Sequence, residues 1–151
     1  MQSVPKPISI LMADDDPDDR LLAREAFEES RLRNNLSFVN DGVELMDYLY
    51  RRGKFSDPHE SPKPGLILLD LNMPRKDGRE ALKEIKSNDL LRRIPIVVLT
   101  TSDAEEDIVS SYELGVSAYI RKPVTFDGLI SVIKSIGKYY VEIVELPPPI
   151  K

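Results

Sequence analysis

The chain has 151 residues, 41% hydrophobic and 31% charged, with a formal net charge of −5 and no cysteine. That length fits one domain with a sizeable core, and the composition excludes a disordered, fibrous or membrane-spanning chain. The acidic balance argues against nucleic-acid binding, Arg51-Arg52 and Arg92-Arg93 being only small basic spots, while the absence of cysteine rules out disulfides, thiolate metal sites and thiol nucleophiles.

In chain order, "ISILMA" (8–13) reads as a strand, followed by the acidic run "DDDPDD" (14–19) and a helical pattern carried by Leu21, Leu22, Ala26 and Phe27. "LSFV" (36–39) is the second strand, and "NDG" (40–42) turns into the second helix. The segment 51–65, rich in Pro, Gly, Ser and charge, is expected to be an exposed, mobile insertion. "GLILLD" (65–70) is the third strand, "DG" (77–78) opens a helix with Ala81, Leu82 and Ile85 on one face, and "IPIVVLT" (94–100) is the fourth strand. Gly115 ends the fourth helix, "SAYI" (117–120) is the fifth strand, and Phe126, Leu129, Ile130, Ile133 and Ile136 line one face of the last helix. Strand and helix alternate, and apolar runs such as "IVVL" suit strands covered on both faces, so an α/β fold with a doubly wound five-stranded parallel sheet is predicted. The expected division is an N-terminal segment 1–7, a domain 8–136, and a C-terminal extension 137–151. The N-terminus lacks a signal-peptide pattern, so a cytoplasmic location is expected.

The acidic run raises the question of which cation it serves. A calcium loop fits Asp14, Asp16, Asp18 and Glu25 by spacing, but Asp19 stands where the sharp turn needs glycine, and a strand precedes the run where a helix is required. Asp16, Asp18 and Asp19 read as a helix start with Pro17 at its first position. Asp14 and Asp15 instead follow a strand directly, at the sheet rim where open α/β folds place ligands, and Asp70 ends the third strand on the same rim. Converging carboxylates repel one another unless a hard cation with oxygen ligands holds them ionised, which points to Mg²⁺. The Asn72 carbonyl offers a further ligand, and Thr100 and Lys122 bring a hydroxyl and an ammonium to two other strand ends. Together these groups are equipment for phosphoryl transfer.

The motifs "ADDD" (13–16), "LLDLNMPRKDG" (68–78), "VVLTT" (97–101) and "AYIRKP" (118–123) resemble those of the receiver domains of two-component response regulators, over residues 8 to 135. The resemblance implies a flavodoxin-like receiver fold and a protein that signals rather than one that turns over a substrate. It makes Asp70 the phosphoacceptor, and Asp14, Asp15, Asp70 and Asn72 the Mg²⁺ set. Lys122 becomes the phosphate clamp, Thr100 and Tyr119 the switch pair, and Pro123 a cis-proline. The transferring histidine belongs to a sensor kinase; lone His59, in the 51–65 loop, is no candidate for it. The loop insertion, the absence of an effector module after the last helix, and the tail "KYYVEIVELPP" are similar to the small stand-alone receivers that serve phytochrome histidine kinases. In that setting Tyr139, Tyr140, Val141, Ile143, Val144 and Leu146 would serve dimerisation or kinase docking, or fold back on the core. Two rivals compete. A Mg²⁺-dependent phosphatase of haloacid-dehalogenase type needs a second Asp two places after the nucleophile, where this chain has Asn72. A pseudo-receiver, a binding module that is never phosphorylated, has no need of the full polar set.

Overall fold

Alternate residues along the central strands feed two separate cores, and that alternation organises the molecule. The structure, a computed structural model, describes residues 8–29, 35–143 and 147. The strands are β1 (Ser9–Ala13), β2 (Asn35–Val39), β3 (Leu66–Leu69), β4 (Ile96–Thr100) and β5 (Ala118–Arg121). Between and after them run α1 (Pro17–Glu29), α2 (Gly42–Leu49), α3 (Gly78–Lys86), α4 (Glu105–Glu113) and α5 (Phe126–Gly137). The sheet is parallel throughout, in the order β2-β1-β3-β4-β5. Leu11, Ala13, Ile67, Leu69, Ile96 and Val98 face α2 and α3, where Leu45, Met46, Ala81, Leu82 and Ile85 meet them. Ile10, Met12, Leu66, Leu68, Val97 and Leu99 face the other way, onto Ala23, Ala26 and Phe27 of α1 and Leu129, Ile133 and Ile136 of α5. Each buried aliphatic side chain of this kind contributes about 1.5–3 kcal/mol, and a one-residue slip of a strand would exchange the side chains that fill the two cores.

Side-chain caps start the helices where the sequence places its polar residues. Asp16 accepts from the Asp18 amide at 2.9 Å, Asp41 from Glu44 at 2.9 Å, Asp77 from Glu80 at 3.0 Å and Thr125 from Gly128 at 3.1 Å. Gly115, at φ 96°, stands just beyond the end of α4.

Several expectations need correction. Leu21 is exposed and Ala23 takes its place in the buried stripe, because Ala23, Ala26 and Phe27 share a face that Leu21 leaves. Phe126 is 68% exposed, since it starts α5 one turn beyond the buried stripe formed by Leu129, Ile133, Ile136 and Tyr140. The 51–65 loop is largely exposed, in keeping with its composition, and is tied down at points: the Tyr48 hydroxyl donates to the Pro62 carbonyl at 2.7 Å, Arg51 donates to the Ser61 carbonyl at 3.1 Å, Ser61 is buried and Phe55 packs on Tyr48. No cis peptide bond occurs among the described residues, so the Lys122–Pro123 bond is trans. A π-helical turn, Lys138–Ile143, continues α5. Tyr140 folds back into the α1–α5 core, whereas Tyr139 is half exposed. The side chains of Val141 and Ile143, together with Val144, Leu146 and the 1–7 segment, lie outside the described residues.

Candidate functional site

Parallel pairing brings the polar residues together. Ala13 pairs with Leu69 at the ends of β1 and β3, so the next residues, Asp14 and Asp70, emerge side by side, and the Asp70 amide donates to the Ala13 carbonyl at 3.0 Å. Thr100 pairs with Arg121, and the Lys122 amide donates to the Thr100 carbonyl at 2.7 Å, which brings the last two polar groups to the same rim. This carboxyl rim is where open α/β sheets bind ligands.

The geometry centres on Asp70. Its Oδ1 accepts from the Thr100 hydroxyl at 2.8 Å and from the Asn72 amide at 3.0 Å, while its Oδ2 accepts from the Lys122 ammonium at 2.9 Å. The ammonium also donates to Asp14 at 2.8 Å and to Asp19 at 2.7 Å. Asp14, Asp70, Thr100 and Lys122 are all buried, and Asp15 is exposed. Burial pushes the Asp14 carboxyl up to about 6, against the pull of Lys122. Burial works against the charge on Lys122 as well, yet the carboxylates of Asp14, Asp19 and Asp70 override it and raise the ammonium's pKa above the ordinary lysine value.

Oxygens of Asp14, Asp15 and Asp70 lie within 4.8 Å of one another. An ion binding oxygens at about 2.0–2.1 Å needs ligand pairs about 3–4 Å apart, so the donor set suits a hard divalent cation, and the exposed side at Asp15 leaves room for its waters.

Glycine decides how tightly the β3–α3 loop closes over this pocket. A Cβ on Gly78 would stand 2.2 Å from the Asp70 carbonyl oxygen and 2.7 Å from the Leu71 Cα. Only glycine allows that approach, which lets the Gly78 amide donate to the Leu71 carbonyl at 2.9 Å.

Beside the pocket lies a second polar network that the sequence did not reveal. Arg79 of α3 grips Asp107 of α4 with two bonds, Nε to Oδ1 at 2.7 Å and an NH2 group to Oδ2 at 2.6 Å, and the Ser102 hydroxyl adds a third at 2.6 Å. Arg79 also donates to the Asn72 side-chain oxygen at 3.3 Å. The Tyr119 hydroxyl donates to the Ser102 carbonyl at 2.9 Å, so Tyr119 is tied to the loop that follows Thr100. The hydrogen bonds from Arg79 hold the Asp107 carboxyl down at about 2. Asp19 was also missed, read only as a helix start. The contact from Arg79 to Asp107 spans 28 residues and that from Lys122 to Asp19 spans 103, and neither leaves a local pattern in sequence.

A family profile described as the response regulator receiver domain matches residues 10–134. Response regulator Rcp1 of Synechocystis sp. is 43% identical over 141 residues, covering 93% of this chain and 94% of that protein. Among solved structures, the Mn(2+)-bound form of response regulator Rcp1 matches with a TM-score of 0.87 at 42% identity, over 94% of this chain and 100% of that one. The phosphorylated cyanobacterial phytochrome response regulator RcpA matches with a TM-score of 0.89 at 40% identity, over 95% of this chain and 100% of that one.

Proposed function

This chain belongs to the response regulator receiver domain family, and on that premise we propose that Asp70 takes a phosphoryl group from the phosphohistidine of a sensor histidine kinase. One observation carries the assignment: Asp70 is the carboxylate that meets the Thr100 hydroxyl, the Lys122 ammonium and the Asp14–Asp15 pair at once. An Asp70 carboxylate oxygen attacks phosphorus in line as the bond to the histidine nitrogen breaks, and the histidine leaves with that electron pair. Lys122 meets the charge on the equatorial oxygens, and the Asn72 amide orients the acceptor. Asp14, Asp15 and Asp70, with the Asn72 carbonyl, would hold Mg²⁺, which neutralises charge on the transferring group when bound.

The product carries new oxygens where Thr100 now donates to the free carboxylate. On phosphorylation the Thr100 hydroxyl exchanges its bond to the Asp70 carboxylate for one to a phosphoryl oxygen, and Tyr119, fastened to Ser102 of the same loop, follows the loop. The change emerges on the surface of α4, β5, α5 and the segments that join and follow them, where Val109, Tyr112, Val124, Phe126 and Tyr139 are exposed. A downstream protein or a second copy of the chain would read that surface. Likeness to Rcp1 and RcpA along nearly the whole chain supports a kinase of phytochrome type and a receiver unit spanning 8–136. The phosphatase alternative is disfavoured, because Asn72 occupies the general-acid position and its side chain faces Arg79.

The test is incubation with Mg²⁺ and a small acyl phosphate, read by intact-mass spectrometry. One phosphoryl group should be added, and both Asp70→Asn and chelator should abolish it. Undiminished labelling of the variant refutes the acceptor assignment.

A further inference from the structure

Lys122 is held by three carboxylates, yet only two of them belong to the group suited to a divalent ion. Its Nζ lies 2.8 Å from Asp14, 2.9 Å from Asp70 and 2.7 Å from Asp19. Asp14 and Asp70 share their oxygen cluster with Asp15, and Asp19 stands outside it. A carboxylate in the first turn of α1 has a simple reason to be there, the positive end of the helix dipole. That reason serves the exposed Asp18 as well; it does not explain why Asp19, only 15% exposed, is turned onto an ammonium from the far end of the chain. A dication on Asp14 and Asp70 would repel the ammonium and withdraw two of its three partners. Asp19 is the one partner it would leave.

We propose that Asp19 is a positioning residue for Lys122, taking up the ammonium as a divalent cation occupies the other aspartates and so keeping the lysine beside Asp70. The assignment rests on the function proposed above. Without Asp19, the carboxylates that Lys122 meets among the described residues are those the cation needs, and the two cations compete directly.

The test is a Mn²⁺ titration of the full chain, followed by electron paramagnetic resonance at fixed pH and ionic strength, in a double-mutant cycle. Asp19→Asn should weaken Mn²⁺ binding about three- to tenfold when Lys122 is present. In the Lys122→Met background the same change should cost less than about twofold, the residue of screened long-range charge. Equal losses in the two backgrounds would overturn the proposal, because Asp19 would then act on the metal by its own charge. So would unchanged affinity in Asp19→Asn. A role only in starting α1 would shift the melting temperature alike in both backgrounds and leave no coupling. Should Lys122→Met fail to fold, the ammonium resonance of Lys122 gives a second readout. It should survive Mg²⁺ saturation in the parent chain and broaden by exchange in Asp19→Asn, and identical behaviour in the two counts against the proposal. Mn²⁺ binding with full coupling but no labelling of Asp70 would sink the phosphoacceptor assignment alone. Labelling without coupling would sink the role of Asp19 alone. A parent chain that binds no Mn²⁺ would sink both the metal site and the role of Asp19.

Discussion

Asp107 shows how one side chain ties two helices to the pocket rim. Its carboxyl is depressed to about 2 by Arg79, with Ser102 as a further donor. A depressed acid stabilises the fold at pH values above its ordinary unfolded range, and that contribution is lost as pH falls through its folded value. Asp107→Asn is therefore expected to cost about 1 kcal/mol at neutral pH, the half-exposed Arg79 screening the pair. The gap between parent and variant should close as pH approaches about 2, as measured by urea denaturation across pH. A gap that persists at low pH would mean that the lost stability comes from packing. Asp14, Asp15, Asp70, Thr100 and Lys122 were legible because each follows or ends an apolar strand, so counting to the strand end locates it. Asp19, Arg79 and Asp107 were not, because helix surfaces are full of charge and nothing local marks which charges face inward.

The elements themselves were largely legible, and their errors have a common cause. Period-two and period-3.6 patterns report which face is apolar, but not where an element ends relative to the layer that covers it. Leu21 and Phe126 follow the helical pattern and still point to solvent. The exposure of the 51–65 loop was legible in its composition, but its ties, a hydroxyl and a guanidinium bonding to main-chain carbonyls, were not, because composition cannot express them. Close backbone approach is equally silent in sequence. "DG" at 77–78 announced a helix start, but not that Gly78 presses against the carbonyl of Asp70. Gly78→Ala forces the β3–α3 loop away from the strand end, with an expected cost of about 1–3 kcal/mol in equilibrium denaturation. It should also slow acyl-phosphate labelling, because Asp70 shares the displaced backbone. Destabilisation without slower labelling would separate the loop closure from the placement of Asp70.

At the scale of the whole molecule, four of the five parallel strands deliver the polar groups of the site to one rim, and the order β2-β1-β3-β4-β5 puts the carriers of Asp70 and Asp14 side by side at its centre. Three carboxylates on that rim should make the folded chain bind divalent ions that the unfolded chain does not. Saturating Mg²⁺, at about a hundred times its dissociation constant, is expected to add about 2.7 kcal/mol to the stability of the parent and markedly less to Asp15→Asn, as read by thermal denaturation; an equal gain in the two would place the ion elsewhere. Among the described residues no helix is long and apolar enough to cross a membrane. The central claim is that a phosphoryl group resides on Asp70, and borohydride tests it most directly, because it reduces an acyl phosphate on an aspartate to homoserine that peptide mass spectrometry can locate. After labelling in Mg²⁺, homoserine should appear at position 70 alone; homoserine at 14, 15 or 19, or none in a chain that carries the label, contradicts the assignment.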